Sequence, residues 1–513
     1  MTRKRHRHLG FIMLWFALIT GCIIGALTWL YLKASNVGVT LVWQTIGSHF
    51  PTAVYTVIVC VIGGVIIGFY HKKFGPYPEN MGTAVRRVMQ DRAYPYWEMP
   101  MAIVAALLSI LFGGAVGPEA GLVCILLSLC FWAKDEFGLA RENLQTYAEN
   151  DPGVGGFRLL GRSLKGLVPP KGGHIVYDVG KVEWSTRLKV GCGLIAALGG
   201  LYIYVLFNYL MGRAFTLPHI DGGTVAAKDR LAMILLLVVG IAAGYLYLVL
   251  RKLISKAFDF LKSKDVHVLN SVLGGLILGL IGGQIPLTMF SGCADIQTIQ
   301  NGYMNSLPYM LIIVGVLKLF LTNVCIESEW RGGHFFPLLF AGLSIGYGFA
   351  GVLGTNAILS VVVVTGALLG TVLQQPLGAL VLAMIFFPLQ QLGWMIIATF
   401  VAGCIPVPAT LRMHPDSKAF IPDMKERIEK RLQTARGETD VLEEMADIVR
   451  TEESATPDDP EDKEQIAAAI EANKAQKAAK KAEKKAEKKD VTINEAEKTE
   501  ETAATSETEK TEE

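Results

Sequence analysis

Apolar residues in this chain run in long blocks instead of alternating with polar ones. Segments 9–32, 51–70, 189–211, 231–250 and 306–326 are almost free of charge. Each reaches or exceeds the roughly 20 residues that a helix needs to cross a bilayer. Later runs, 335–353 and 356–389, are equally apolar but are broken by glycine and proline. Buried helices of soluble proteins are shorter and are separated by amphipathic ones. The pattern therefore predicts an all-α polytopic membrane protein with partly broken helices. After Ala409 the character changes. Residues 415–450 suit short amphipathic helices, and 464–489 are an Ala/Lys/Glu tract without a sustained apolar stripe, suited to an exposed helix or disorder.

Composition refines this picture. Of 513 residues 51% are hydrophobic, and the 18% that are charged crowd into the last hundred positions. The net charge of +2 is thus an average over two unlike materials. No region combines a basic face with aromatic residues, which argues against nucleic-acid partners. The eight cysteines are scattered without CxxC pairs and read as small buried hydrophobes, not as a metal or disulfide framework. The N-terminal MTRKRHRH followed by an apolar run looks like a secretory signal, but the run continues past Cys22, so it reads as a retained first membrane helix.

Basic residues set the expected orientation. Arg3, Lys4, Arg5 and Arg7 start inside. Run 9–32 leads out, and 51–70 returns to a loop bearing Lys72, Lys73, Arg86, Arg87 and Arg92. The basic stretch 251–265 and the polar insert 134–188 also belong inside. The expected organisation is a basic cytoplasmic N-terminus (1–8), a first transmembrane repeat (9–215, containing the insert), a second (225–410), and a charged cytoplasmic tail (411–513). Both termini would be cytoplasmic in a multi-pass protein of the cell membrane.

One carboxylate stands out. From Met99 to Trp132 the only charged residue is Glu119, within FGGAVGPEAGLV. Gly117-Pro118 divides this run. Proline fits the first turn of a helix, so one helix should end near 112–115 and another start at Pro118. A second break lies at Gly332-Gly333, ahead of HFFPLLFAG. Irregular backbone at membrane depth is tolerated only where protein buries it or it lines a cavity, and paired broken helices are one way to build a transport site. A helix N-terminus exposes free N–H groups and the positive end of its dipole, which together attract anions. Partial charges hold an ion while letting it leave. Glycine pairs alone also serve as kinks or packing points. Glu119 tips the balance, because an intramembrane carboxylate costs at least about 3 kcal/mol and marks a functional site. On the first turn of a helix it would compete with a mobile anion as a tethered one, and its charge would answer to pH, voltage and ion occupancy.

These features resemble the CLC family of chloride channels and chloride/proton exchangers. GPEAG (117–121) is similar to the family's G-K/R-E-G-P segment, and GGHFFP (332–337) to its G-x-F-x-P segment through Gly333, Phe335 and Pro337. GPYPENMG (75–82) lies where the family has G-S-G-I-P-E, with Pro78 and Glu79 matching its end. SVLGGLILGLIGG (271–283) and 317–333 are also similar to family stretches, so the resemblance spans roughly 9–410. It implies a CLC-like fold of two inverted repeats of tilted helices, a homodimer, and one anion pathway per subunit gated by Glu119. Anion contacts would come from Gly333, His334, Phe335 and Phe336, from Gly117, Glu119 and Ala120 for an outer position, and from Gly75, which replaces the family's anion-binding serine. The basic residue before the glutamate is Pro118 here, and 401–415 holds no late pore tyrosine. Helix 189–211 carries no carboxylate, which leans toward a channel over proton exchange.

Chloride is the default ion, with protons as a further partner, and carriage of fluoride or nitrate is the alternative. An integral membrane enzyme would need clustered polar residues that His334, Glu327 and Glu329 do not provide by spacing. A scaffold acting through the tail would make Glu119 dispensable. No cofactor or metal is implied. His334 reads either as a pH sensor or as a neutral ring bonded to a backbone carbonyl, Tyr202 and Tyr204 as packing or interfacial residues, and Lys318 as snorkelling or paired with a carboxylate.

Overall fold

The computed structural model describes most of residues 2–79, 94–133, 186–215, 232–262 and 267–408, with a few isolated positions between them. The chain divides into two units, Met1–Lys430 and Arg431–Glu513. Every described element belongs to the first, so the insert and the tail lie largely or wholly outside the described residues.

The described elements are helical. They comprise α1 (Thr2–Val39), α2 (Thr52–Phe74), α3 (Met99–Leu111), α4 (Glu119–Ala133), α5 (Thr186–Leu210), α6 (Ala232–Lys262) and α7 (His267–Gln284). After these come α8 (Ile296–Gly302), α9 (Pro308–Glu327), α10 (Phe335–Leu353), α11 (Ala357–Leu373), α12 (Pro376–Phe386) and α13 (Leu392–Cys404). Among the described residues no strand occurs, only an isolated bridge between Gly117 and Gly333. Among the described residues, seven helices are long and apolar enough to cross a membrane, including all five long runs read from the sequence. The other two are α7, whose glycines dilute its apolar pattern, and α10.

Small residues decide how these helices pack. Lipid-facing surfaces gain no hydrophobic advantage from association, so helices in a membrane rely on close backbone approach. On α2, Cys60, Gly64 and Gly68 repeat every fourth residue, as do Ser271, Gly275 and Gly279 on α7. A Cβ on Gly64 would meet the Ser271 carbonyl, and one on Gly275 would meet the Cys60 carbonyl. The same device joins α1 to α5, where Gly21 faces Ala196 and Gly25 faces Gly200. Large apolar side chains such as Leu198, Leu201, Ile234 and Val238 point outward, more than half exposed, as expected of lipid-facing positions.

α10 and α11 form the dry centre. From Phe336 to Gly348 every residue of α10 is buried, as is every residue of α11 from Leu359 to Val372. Two of the eight cysteines, Cys130 and Cys404, are exposed, and Cys22 is intermediate. The expectation of small buried residues therefore holds for the other five, and all eight are free thiols.

Candidate functional site

α3 ends at Leu111 and α4 begins at Glu119, one residue later than the start at Pro118 expected from proline alone, with Pro118 in the turn just before it. The seven residues between are irregular backbone, and several backbone groups in and beside them find partners. Trp43 Nε1 donates to the Leu111 carbonyl at 2.8 Å, and Cys60 Sγ to the Phe112 carbonyl at 3.5 Å. Gly114 N–H reaches the Ser109 carbonyl, and Ala115 N–H meets Cys325 Sγ at 3.4 Å. Tyr31 on α1 donates its hydroxyl to the Pro118 carbonyl at 3.4 Å. Trp330, fully buried, fills the space beside Gly63, Gly114 and Gly275 and donates Nε1 to the Ser271 carbonyl.

The second break meets the first. Gly117 N–H donates to the Gly333 carbonyl at 2.8 Å, and Gly333 N–H to the Gly117 carbonyl at 2.9 Å. This reciprocal pair clamps together two segments more than 200 residues apart in sequence and brings the N-termini of α4 and α10 to one point. There the Glu119 carboxylate reaches across, and its Oε1 accepts from the Phe336 N–H at 2.6 Å. The N–H groups of Phe335 and of Glu119 itself also face the carboxylate. Glu119 thus occupies the anion position of the α10 N-terminus. Its Oε2 is buried without a hydrogen-bond partner.

Both glycines of the clamp are required by space. A Cβ on Gly117 or on Gly333 would coincide with Glu119 Oε2. Gly333→Ala should therefore unseat the carboxylate and forfeit a charge-assisted bond worth about 1.5–3 kcal/mol. A structure of the variant would show the Glu119 side chain turned away from Phe336 N–H. If the 2.6 Å contact survived, this account of the glycine would be wrong.

Of the residues singled out from the sequence, Gly117, Glu119, Gly333, Phe335 and Phe336 come together here. Ala120 is buried in the first turn of α4 behind them, and His334 caps α10 with its ring against Tyr247, 6.3 Å between centroids. Gly75 ends α2 with φ 101°, donating its N–H to the His71 carbonyl and accepting from the Tyr77 N–H. Lys318 does not snorkel as expected; the Asp295 carboxylate is its opposing charge, without a direct ion pair. The lysine is fully buried, and Nζ donates to the carbonyls of Thr288 (3.1 Å), Met289 (2.6 Å) and Phe290 (2.7 Å). The reason is local. Phe290 has φ 52° and breaks the backbone pattern, leaving three carbonyls that a lysine can gather. Tyr31 and Cys325 support the site without having been singled out, since neither stands in a motif. Among the described residues no cluster of histidine, cysteine and carboxylate fits a metal.

A family model described as voltage gated chloride channel matches residues 179–406. Residues 179–406, a little under half of the chain, are thus similar to the CLC family. The chain is 24% identical over 365 residues to chloride channel protein CLC-f of Arabidopsis thaliana, covering 66% of this chain and 45% of that one. It is 26% identical over 335 residues to YfeO of Escherichia coli O1:K1 / APEC, a candidate ion-transport protein, covering 61% of this chain and 73% of that one. It therefore spans less than half the length of CLC-f and about three quarters of YfeO. Among solved structures, a slow cyanobacterial Cl-/H+ antiporter superposes with a TM-score of 0.55 at 17% identity, covering 78% of this chain and 96% of that one. A CLC-type fluoride/proton antiporter gives 0.51 at 17% identity, covering 77% and 94%. These likenesses establish the CLC-like fold of this polytopic membrane protein.

Proposed function

We propose that this protein moves a small anion, chloride by default, along a pathway whose central seat is the N-terminus of α10, with Glu119 as the gate. The observation that carries the reading is the contact between Glu119 Oε1 and Phe336 N–H, with Gly117 and Gly333 shaped around the carboxylate. A helix N-terminus binds anions through free N–H groups and its dipole. A carboxylate on a rotatable side chain satisfies the same groups and leaves them when it is protonated or outcompeted. The clamp glycines admit an ion as closely as they admit Oε2. Gly333, His334, Phe335 and Phe336 would line the central seat, and Gly117, Glu119 and Ala120 an outer one. Gly75 would lie toward the inner mouth. The assembly would be a homodimer in the cell membrane with cytoplasmic termini.

The lack of a carboxylate in α5 favours passive conduction over exchange. Proton-coupled exchange, or fluoride as the ion, is the second reading, supported by the two antiporters that share the fold. Purified protein in liposomes loaded with chloride separates them. Chloride efflux that follows the membrane potential with no opposing proton flux supports the channel. Proton movement against chloride supports exchange, and efflux of fluoride but not chloride reassigns the ion. No anion efflux at any voltage or pH would defeat the transport reading.

A further inference from the structure

A second group of charges lies away from the clamp, on the segment that leads into it. Residues 328–334 connect α9 to α10. Glu329 in this segment has φ 73°, a backbone conformation unusual for a residue with a side chain. Its carboxylate is shared by two rings. His71 Nδ1 in the last turn of α2 lies 3.0 Å from Oε2, and His267 Nδ1 at the start of α7 lies 2.8 Å from Oε1. The His71 and Glu329 side chains are 1% and 6% exposed, whereas that of His267 is 33% exposed and opens to solvent. His71 Nε2 is buried beside the backbone of Tyr77. We propose that His71, Glu329 and His267 form a proton-binding site, entered at His267, that makes anion passage through the clamp respond to pH.

The chemistry follows from the donors. An ionised carboxylate only accepts, so each neutral ring presents Nδ1–H to Glu329 and keeps a lone pair on Nε2. A proton from water adds to Nε2 of a ring, and the product is an imidazolium hydrogen-bonded to the carboxylate. No other bond is made or broken. Glu329 itself stays ionised. Burial alone would raise its pKa, but the hydrogen bond from His71, the Arg331 charge and the hydrogen bond from His267 hold it at about 2. The proton therefore resides on imidazole, the base that remains once the carboxylate is ionised and accepting from both rings.

The neighbouring charges set the sign. Arg331, on the same segment, acts on both Glu329 and His71. With neutral rings the Arg331 and Glu329 charges cancel. Beside them, Glu327 at the end of α9 pairs with Arg251 of α6 at 3.6 Å, which also sums to zero. Tyr70 of α2 lies against His71, and Tyr247 of α6 stacks on the His334 ring beside the Arg251–Glu327 pair; both tyrosines are neutral near pH 7. Uptake of one proton thus turns a neutral collar into one of charge +1, on a segment whose Gly333 carries the clamp. A unit charge about 10 Å away, at an effective dielectric of about 20, changes an anion's occupancy on the order of tenfold. Acid on the face where His267 opens should favour the anion.

The inference rests on the transport reading above, and its test keeps the two apart. The full chain carrying Glu119→Gln, which removes the gate's own titration, is reconstituted in liposomes, and chloride efflux is followed from about pH 7.5 to about pH 5.5. Efflux is expected to rise about threefold to tenfold. Adding His267→Gln should abolish the rise and leave efflux low at both pH values. Adding Glu329→Gln should also abolish it but leave efflux high at both, because Arg331 is then uncompensated. These opposite outcomes distinguish a charge effect from simple damage to packing. If Glu329→Gln does not fold, His267→Gln and His267→Asn decide alone, since that ring is partly exposed. A full acid response in the His267 variants overturns the proton site while leaving transport intact. An absence of chloride efflux in the Glu119→Gln parent overturns the transport reading and the proton site with it.

Discussion

Glu119→Gln is expected to raise chloride flux at neutral pH by roughly tenfold to a hundredfold and to remove the part of its pH dependence that belongs to the gate carboxylate itself. The carboxylate holds the α10 N-terminus through a charge-assisted bond at 2.6 Å. Such bonds contribute about 1.5–3 kcal/mol, and each 1.4 kcal/mol of competition is about tenfold in occupancy. A neutral amide keeps the size of the side chain but carries no charge to compete with an ion. Should the protein also move protons against chloride, the variant should lose that opposing flux, because the only carboxylate in the 99–132 run would be gone. Glu119→Ala should behave alike, since the effect belongs to the missing charge. Flux and pH profile unchanged in both variants would mean that the seat lies elsewhere.

Lys318→Met should lower stability by about 3–5 kcal/mol, read as a lower melting temperature in detergent. Methionine matches the length of the side chain and spares the cost of burying a charge. It nevertheless leaves the carbonyls of Thr288, Met289 and Phe290 without their donor in a dry interior. Orphaned buried acceptors cost about 1–3 kcal/mol each, partly offset by relaxation. The damage should also reach the clamp. Phe290 N–H donates to the Gly113 carbonyl at 3.2 Å, and Met289 packs on Gly113, four residues before Gly117. Lys318→Gln, which keeps a donor without the charge, should recover part of the loss. A methionine variant as stable as the parent would show that the 288–290 backbone does not depend on this lysine.

The membrane architecture was legible in the sequence because its physical cause is one-dimensional. A run of apolar residues spans a bilayer whatever its neighbours are, so all five long runs became helices. The clamp was legible for a related reason. Gly117-Pro118 and Gly332-Gly333 are local signals, and a lone carboxylate at Glu119 is conspicuous against apolar surroundings. What could not be read was the pairing of distant polar groups. Glu329 looks like one charge in a polar stretch until α2 and α7 deliver His71 and His267 to it across 258 and 62 residues. Lys318 was read by the usual habits of membrane lysines, whereas its partners are backbone carbonyls created by the turn at Phe290. Backbone acceptors leave no mark in a sequence. Tyr31 was missed likewise, because its partner is a carbonyl 87 residues away.

The central claim is that Glu119 holds a seat that a free anion takes when the carboxylate leaves. Anomalous diffraction from crystals of the Glu119→Gln protein soaked in bromide tests it most directly. A bromide peak within hydrogen-bonding reach of the Phe335 and Phe336 N–H groups, absent from the parent at neutral pH, is the predicted result. Bromide bound elsewhere while that position stays empty would contradict the account.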